Sequence, residues 1–313
     1  MRQMKVWLPL VVASAVACGS PGPAAMTPAE AAAHVAEVQA WRDKHEVDYR
    51  RDWVSIAGLH QFKPGRNTAG SGSGHDIPLP APVPASLGVF VLAGQAVRFE
   101  PDRRALAAVN LNGKPLAGPV DLRDDGGTRS DELTVGDVRM AVHVSGEHRS
   151  LRVRDPKGPL ATGFLGFTWF PIDPAYRVTG RFVKDAEPRS LQVLNTFGDI
   201  DSYKTEGVIE FTLQGHKLSV RPFTTRPNRF YIVFKDASSG QETYEAARFL
   251  YSNLNPDGTT VLDFNEAYNP PCAFNPYTTC PIPLKESRLA VKILAGEKAY
   301  PVHVPPAVGG AGR

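Results

Sequence analysis

The side chains best suited to chemistry are gathered between Asp263 and Pro283, where Cys272 and Cys280 sit among carboxylates, amides, tyrosines and prolines. Several readings of these cysteines are open. If Cys18 is engaged elsewhere, they form an even pair, and the chain between them is long enough for the ~5.5–6 Å Cα separation of a disulfide. They could instead be inert buried thiols. A third reading makes Cys272 a nucleophile, with Asp263, Asn265 or Asn269 orienting its partner. Zinc needs four ligands, of which two cysteines supply half, so no metal is expected. Pro270, Pro271, Pro276, Pro281 and Pro283 keep the stretch out of a sheet interior, since proline donates no ladder hydrogen bond. They also reduce the entropy lost when a loop becomes ordered, and long ordered loops are often functional.

Other catalytic signatures are missing. Gly70-Ser71-Gly72-Ser73-Gly74 has glycine where a nucleophile elbow needs serine, and it lacks the last glycine of a dinucleotide loop, so it reads as a flexible turn. The eight histidines are scattered without helical zinc spacing, and His143 and His148 read as hairpin positions. No cofactor is expected.

A framework must hold these residues. Of 313 residues, 42% are hydrophobic and 21% charged, which excludes a mainly disordered chain; 28 Gly and 28 Pro argue against a helical bundle and for many short strands. Arg2 and Lys5 precede an apolar run from Val6 to Ala17, too short to span a bilayer but suited to a signal-peptide core. The run ends in Ala15-Val16-Ala17-Cys18, which resembles a lipobox whose cysteine is lipidated; an Ala-x-Ala cleavage site fits the same residues. Loss of residues 1–17 lowers the 35 Lys and Arg to 33 against 32 Asp and Glu, a net charge of +1. No Lys/Arg-rich run suggests a nucleic-acid partner. No later apolar run could cross a membrane, so the expected membrane contact is a lipid on Cys18.

Thr27-Pro28-Ala29-Glu30 is a capping box with proline at the first helical position, and a helix is expected from Pro28 to about Tyr49 with Val35, Val38 and Trp41 on one face. Strands are expected at 89–92, 107–111 and 138–144, with Asn112-Gly113 as a hairpin turn. Further strands are expected at 164–170, 177–183, 190–194, 208–213, 217–221, 229–234 and 289–294.

Gly65-Arg66-Asn67-Thr68-Ala69-Gly70, Asp76-Ile77-Pro78-Leu79, Val109 to Leu116 and Leu133-Thr134-Val135-Gly136-Asp137 together resemble a forkhead-associated β-sandwich. That family reads phosphothreonine through a Ser-x-x-His turn. The corresponding Ala85-Ser86-Leu87-Gly88 has no histidine, so the resemblance implies the fold without the phosphate reader. Asp263 to Phe274, then Tyr277 to Pro281 and Ala295 to Lys298, closely resemble a bacterial and archaeal family known as domain of unknown function 1684. Trp53 to Leu59, Phe234 to Asp236, Glu242 to Tyr244 and Arg248 to Leu250 resemble it as well. The chain departs from that family at Leu284, Ser287 and Ala247.

Within these motifs Asp236, Thr243, Tyr244, Arg248, Asp263, Asn265, Tyr268, Asn269 and Glu297 form a polar set. As a pocket, Arg248 would clamp an anion while Asp263 and Glu297 act as acid and base. As a brace, the same groups would tie the proline-rich loop to the sheet. The expected protein is mainly β: signal peptide 1–17, linker 18–27, N-terminal helix 28–52, forkhead-associated-like sandwich 53–153, a C-terminal barrel or sandwich 154–303, and tail 304–313. Its expected role is an exported envelope lipoprotein that binds a small ligand or is structural. The rival is a hydrolase using Asp263, Arg248 and Glu297. A shared open cleft would favour the hydrolase, and buried pairs the brace.

Overall fold

The computed structural model describes residues 26–305, so the expected signal peptide, the expected lipidation site Cys18 and residues 306–313 of the expected tail lie outside the described part. Helix α1 (Pro28–Tyr49) begins at the capping box: Thr27 Oγ1 accepts the Glu30 amide, and the Thr27 amide donates to Glu30 Oε2 at 2.7 Å. Its buried side chains are His34, Val38, Arg42 and Tyr49, whereas Val35 faces out. The expected apolar face is thus rotated, because polar groups beneath the helix give His34 and Arg42 partners. A π-turn, Arg50–Val54, leads into the strands.

The first unit has eleven strands: β1 (Ile56–Gln61), β2 (Gly65–Gly70), β3 (Ile77–Pro78), β4 (Gly88–Ala93), β5 (Ala96–Pro101), β6 (Asn110–Leu111), β7 (Lys114–Pro115), β8 (Val120–Leu122), β9 (Glu132–Val135), β10 (Val138–Ser145) and β11 (His148–Arg154). They form two sheets, ordered β1-β11-β10-β9-β6-β7 and β3-β2-β4-β5-β8. Inward residues alternate, as Val138, Met140 and Val142 do on β10, and they pack with Phe90 and Phe99 in one core. The two sheets thus make a β-sandwich, in keeping with the expected mainly β fold. Asn112 and Gly113 turn the β6–β7 hairpin with φ of 51° and 78°. The strand expected at 107–111 shrinks to β6, because Leu106–Ala108 closes a 3-10 turn.

The second unit has β12 (Arg177–Leu194), β13 (Ile200–Leu213), β14 (His216–Val220), β15 (Phe223–Arg226), β16 (Arg229–Phe234), β17 (Arg248–Asn253) and β18 (Thr259–Asp263). The sheets β14-β13-β12-β18 and β15-β16-β17 face each other across a second core, making an open sandwich rather than a barrel. The strands expected at 177–183 and 190–194 are one, β12, with a register shift between Lys184 and Arg189. On β16, Phe230, Ile232 and Phe234 enter this core, while Tyr231 and Val233 enter a third cluster with Tyr49, Phe249, Tyr268 and the cysteines. Burial on both faces explains why Phe230 to Phe234 reads as an unbroken apolar run.

Two expected strands are absent. Residues 164–170 form no strand, and Trp169 makes only an isolated bridge to Glu297. Their rings pack instead: Phe164 lies beside Phe274, and Trp169 beside Trp41. Residues 289–294 are likewise irregular, fastened by single bonds such as Leu289 N to Lys235 O and Ala237 N to Val291 O. Their path requires Gly296, which has φ of 78° and whose missing Cβ would lie 2.2 Å from the Ala267 carbonyl oxygen. Gly296→Ala is expected to cost about 1–3 kcal/mol from backbone strain, with the clash adding to it. A lower urea midpoint at unchanged slope would show this, and an unchanged midpoint would refute it.

Candidate functional site

Asp263 ends β18 and caps the 3-10 turn Phe264–Glu266. Its Oδ1 accepts the Asn265 amide at 3.1 Å and Asn265 Nδ2 at 2.9 Å. Asn265 Oδ1 accepts the Asp173 amide at 2.9 Å, and the Asn265 carbonyl accepts Arg42 Nη2 at 3.0 Å. The other Asp263 oxygen meets His34 Nε2 at 2.5 Å, and Arg177, its cross-strand neighbour, stands 3.7 Å away. Burial and the neighbouring Asp263 carboxylate lift the Glu266 carboxyl to about 7.

His34 lines a cleft of about 1570 Å³ between the first half of α1 and the sheet. Arg177, Arg181, Glu210 and Lys217 line it from the sheet, and Ala31, Ala33 and Glu37 from the helix. Arg181, Glu210 and Lys217 alternate with core residues along their strands, so the cleft lies on the face turned away from the second core. Small alanines on α1 leave the gap open. His34 is only 4% exposed, and its Nδ1 has no hydrogen-bond partner among the described residues.

The rest of the polar set is a brace. Arg248 has no exposed surface; its Nη1 donates to Asp236 Oδ2 at 2.8 Å and to the Ile293 carbonyl at 2.9 Å, and its Nη2 donates to the Ala295 carbonyl. Asp236 Oδ1 accepts the Ser238 amide at 2.8 Å, and the Ser238 hydroxyl bonds Thr243. Glu297 Oε2 accepts the Asn269 amide at 2.8 Å, Asn269 Nδ2 donates to the Lys298 carbonyl at 2.7 Å, and Tyr49 donates to the Asn269 carbonyl at 2.9 Å. Burial nevertheless pushes the Glu297 carboxyl up to about 8. Tyr268 is buried against His45, with ring centroids 4.6 Å apart, and burial lowers the His45 imidazole to about 4. Of Asp263, Arg248 and Glu297, only Asp263 reaches the cleft wall, through His34. Arg248 and Glu297 lie in separate buried pairs, the outcome expected of a brace.

Cys272 and Cys280 are free thiols in this structure, not the expected disulfide. They share the third apolar cluster, and the neighbouring Cys280 thiol together with burial pushes the Cys272 thiol up and keeps it protonated. Tyr244 donates to the Cys272 carbonyl at 3.3 Å. This environment disfavours a Cys272 nucleophile. No group of three or more potential ligands could hold a metal ion among the described residues.

Sequence reasoning passed over His34, Arg42, His45 and Tyr49. They share one helical stripe with Val38, at intervals of three and four residues, and a stripe sought only in apolar residues misses them.

Residues 162–298 match a family described as "Protein of unknown function (DUF1684)". The family resemblance therefore holds from Ala161's successor through Lys298, which includes Asp263 to Pro283 and leaves Trp53 to Leu59 outside. No curated protein matches the chain. Among solved structures, the chain is similar to the solution NMR structure of an uncharacterized protein of Haloarcula marismortui, at 29% identity over 48% of this chain and 85% of that one, with a TM-score of 0.38. It is also similar to the FhaA FHA domain solved with the intracellular domain of Rv3910, at 20% identity over 30% and 86%, TM-score 0.22. A third similar chain comes from an analysis of phosphothreonine-dependent FHA domain interactions, at 18% identity over 31% and 93%, TM-score 0.22.

Two outcomes follow from the brace. Arg248→Ala strands Asp236 and is expected to cost about 3–5 kcal/mol in denaturant unfolding; a loss under 1 kcal/mol would sink the brace. Glu297 supplies a pH test. Folding raises its pKa from 4.5 to about 8, so the folded chain holds a proton that the unfolded chain releases. Stability is then greatest below about pH 4.5 with respect to this group, and it is lost as the pH rises toward 8, at up to about 1.4 kcal/mol per unit. Glu297→Gln, which mimics the protonated acid, should remove that loss. An unchanged slope of stability against pH would contradict it.

Proposed function

We propose that this protein is an exported envelope lipoprotein, tethered through a lipid on Cys18, that binds a small polar molecule in the cleft beneath α1. The cleft carries the reading. It sets a buried histidine with an unpartnered ring nitrogen beside charged side chains of both signs. Concave sites with a few converging polar groups are where small ligands bind. The basic start, the apolar run and the small residues before Cys18 support export and lipidation. The hydrolase reading through Asp263, Arg248 and Glu297 draws no such support, since two of the three are consumed in buried pairs.

The test is a melting-temperature screen of the chain from Gly19 onward against amino acids, short peptides, sugars and dicarboxylates. A true ligand at a hundred times its Kd should stabilise by about 2.7 kcal/mol. Ala33→Trp, which fills the cleft from its helical wall, should abolish the shift. A shift that survives Ala33→Trp places the ligand elsewhere, and no shift across the panel rejects the binding reading. Metabolic labelling with palmitate, present in the full chain and absent from Cys18→Ser, tests the tether.

A further inference from the structure

A second constellation lies away from the cleft, where the first sandwich meets the proline-rich loop. His143 on β10 is buried, and its Nδ1 stands 2.8 Å from Asp125 Oδ2. Its Nε2 stands 3.2 Å from Thr279 Oγ1. Asp125 is held in place, since its Oδ1 accepts the Val144 amide at 2.9 Å and its Oδ2 also takes Arg152 Nη1 at 3.1 Å. Burial works to raise the Asp125 pKa, but the bonds from His143, Arg152 and Val144 outweigh it and keep the carboxylate ionised. An ionised acceptor fixes the tautomer: Nδ1 carries the proton, and the Nε2 lone pair accepts the Thr279 hydroxyl. Burial holds the imidazole pKa below its ordinary value, so the ring is a neutral base near pH 7. Three distant segments thus converge in the order hydroxyl, imidazole, carboxylate, and the half-buried Thr279 can be reached by solvent.

We propose that Thr279, His143 and Asp125 form a hydrolytic triad that cleaves small carboxylic esters. Thr279 Oγ1 attacks the ester carbonyl carbon while its proton passes to His143 Nε2, and Asp125 stabilises the resulting imidazolium. The C–O bond to the alcohol breaks, and the alcohol leaves with the proton from Nε2. Water then gives a proton to Nε2 and attacks the acyl-threonine, which restores the hydroxyl and releases a carboxylic acid. This activity is independent of the cleft beneath α1.

The experiment treats the chain from Gly19 onward with a fluorophosphonate probe, maps the adduct by peptide mass spectrometry, and follows p-nitrophenyl acetate hydrolysis. A single adduct on Thr279 is expected. It should be lost in Thr279→Val, which keeps the side chain's shape, and retained in Thr279→Ser. Hydrolysis should fall at least about a hundredfold in Thr279→Val and in His143→Gln. Melting temperatures of the variants separate loss of chemistry from loss of fold. If His143→Gln does not fold, Thr279→Val and Thr279→Ser decide alone. Hydrolysis that persists in folded Thr279→Val, an adduct only on another residue, or no adduct at all would overturn the triad.

Discussion

A guanidinium with no exposed surface stands at the centre of the second unit, and much of the molecule is arranged around keeping it there. Placing the Arg248 charge in the interior costs several kcal/mol, which Asp236 and the carbonyls of Ile293 and Ala295 must offset. Those two carbonyls belong to a segment with no sheet ladder, so the charge also dictates where that segment runs. The constraint then passes along the chain. Ala295 is fixed, Gly296 turns with a positive φ against Ala267, and Glu297 is delivered beneath the Asn269 amide. Tyr49 of α1 closes on the Asn269 carbonyl, so the helix that roofs the cleft is docked partly by a chain of bonds that starts at Arg248.

The β15–β16–β17 sheet makes this arrangement possible. One face packs against the larger sheet, and the other against a layer of rings that includes Tyr49, Tyr268 and Phe274. Aromatic side chains bring large apolar area with few rotatable bonds, which suits a layer without regular backbone structure. His45 lies in this layer, stacked between Trp41 and Tyr49. Its ring must stay neutral there, and so stability falls in acid as the pH drops from 6.5 toward about 4, where the unfolded chain takes the proton and the folded chain refuses it. Glu297 acts from the opposite side, so the two buried groups limit the stable range between them.

Much of this was legible in residue order wherever local physics decides. Thr27 and Glu30 mark the start of α1, Asn112-Gly113 marks a turn, and Arg229 to Phe234 marks a strand buried on both faces. Residues 164–170 and 289–294 have the composition of strands but lack partners for a ladder, and no local pattern reveals whether a partner exists. The polar set was found as a set, yet its division was not visible. Whether Asp263 meets Arg248 or His34 depends on a contact 229 residues apart in sequence. His34 itself was hidden because a histidine on a helix face reads as solvated until something polar is placed beneath it.

A motif as specific as Asp263 to Pro283 invites a catalytic reading, but its geometry has a plainer cause. A proline-rich loop has few backbone amide donors, and Asn265, Asn269 and Asn275 supply side-chain donors instead, each bonding a distant carbonyl, those of Asp173, Lys298 and Ile56. Such residues are demanded one by one, since each amide fits only its own donor and acceptor. Specific identity can therefore reflect bracing as strictly as it reflects catalysis. What separates the two is whether a reactive atom remains available after the bonds are made. Arg248 and Glu297 are enclosed, and no substrate could reach them without unfolding the loop. Thr279 belongs to the same loop, yet among the described residues its hydroxyl bonds only a base, its residue is half-buried rather than enclosed, and the bonds of Thr278 and Cys280 brace it from either side.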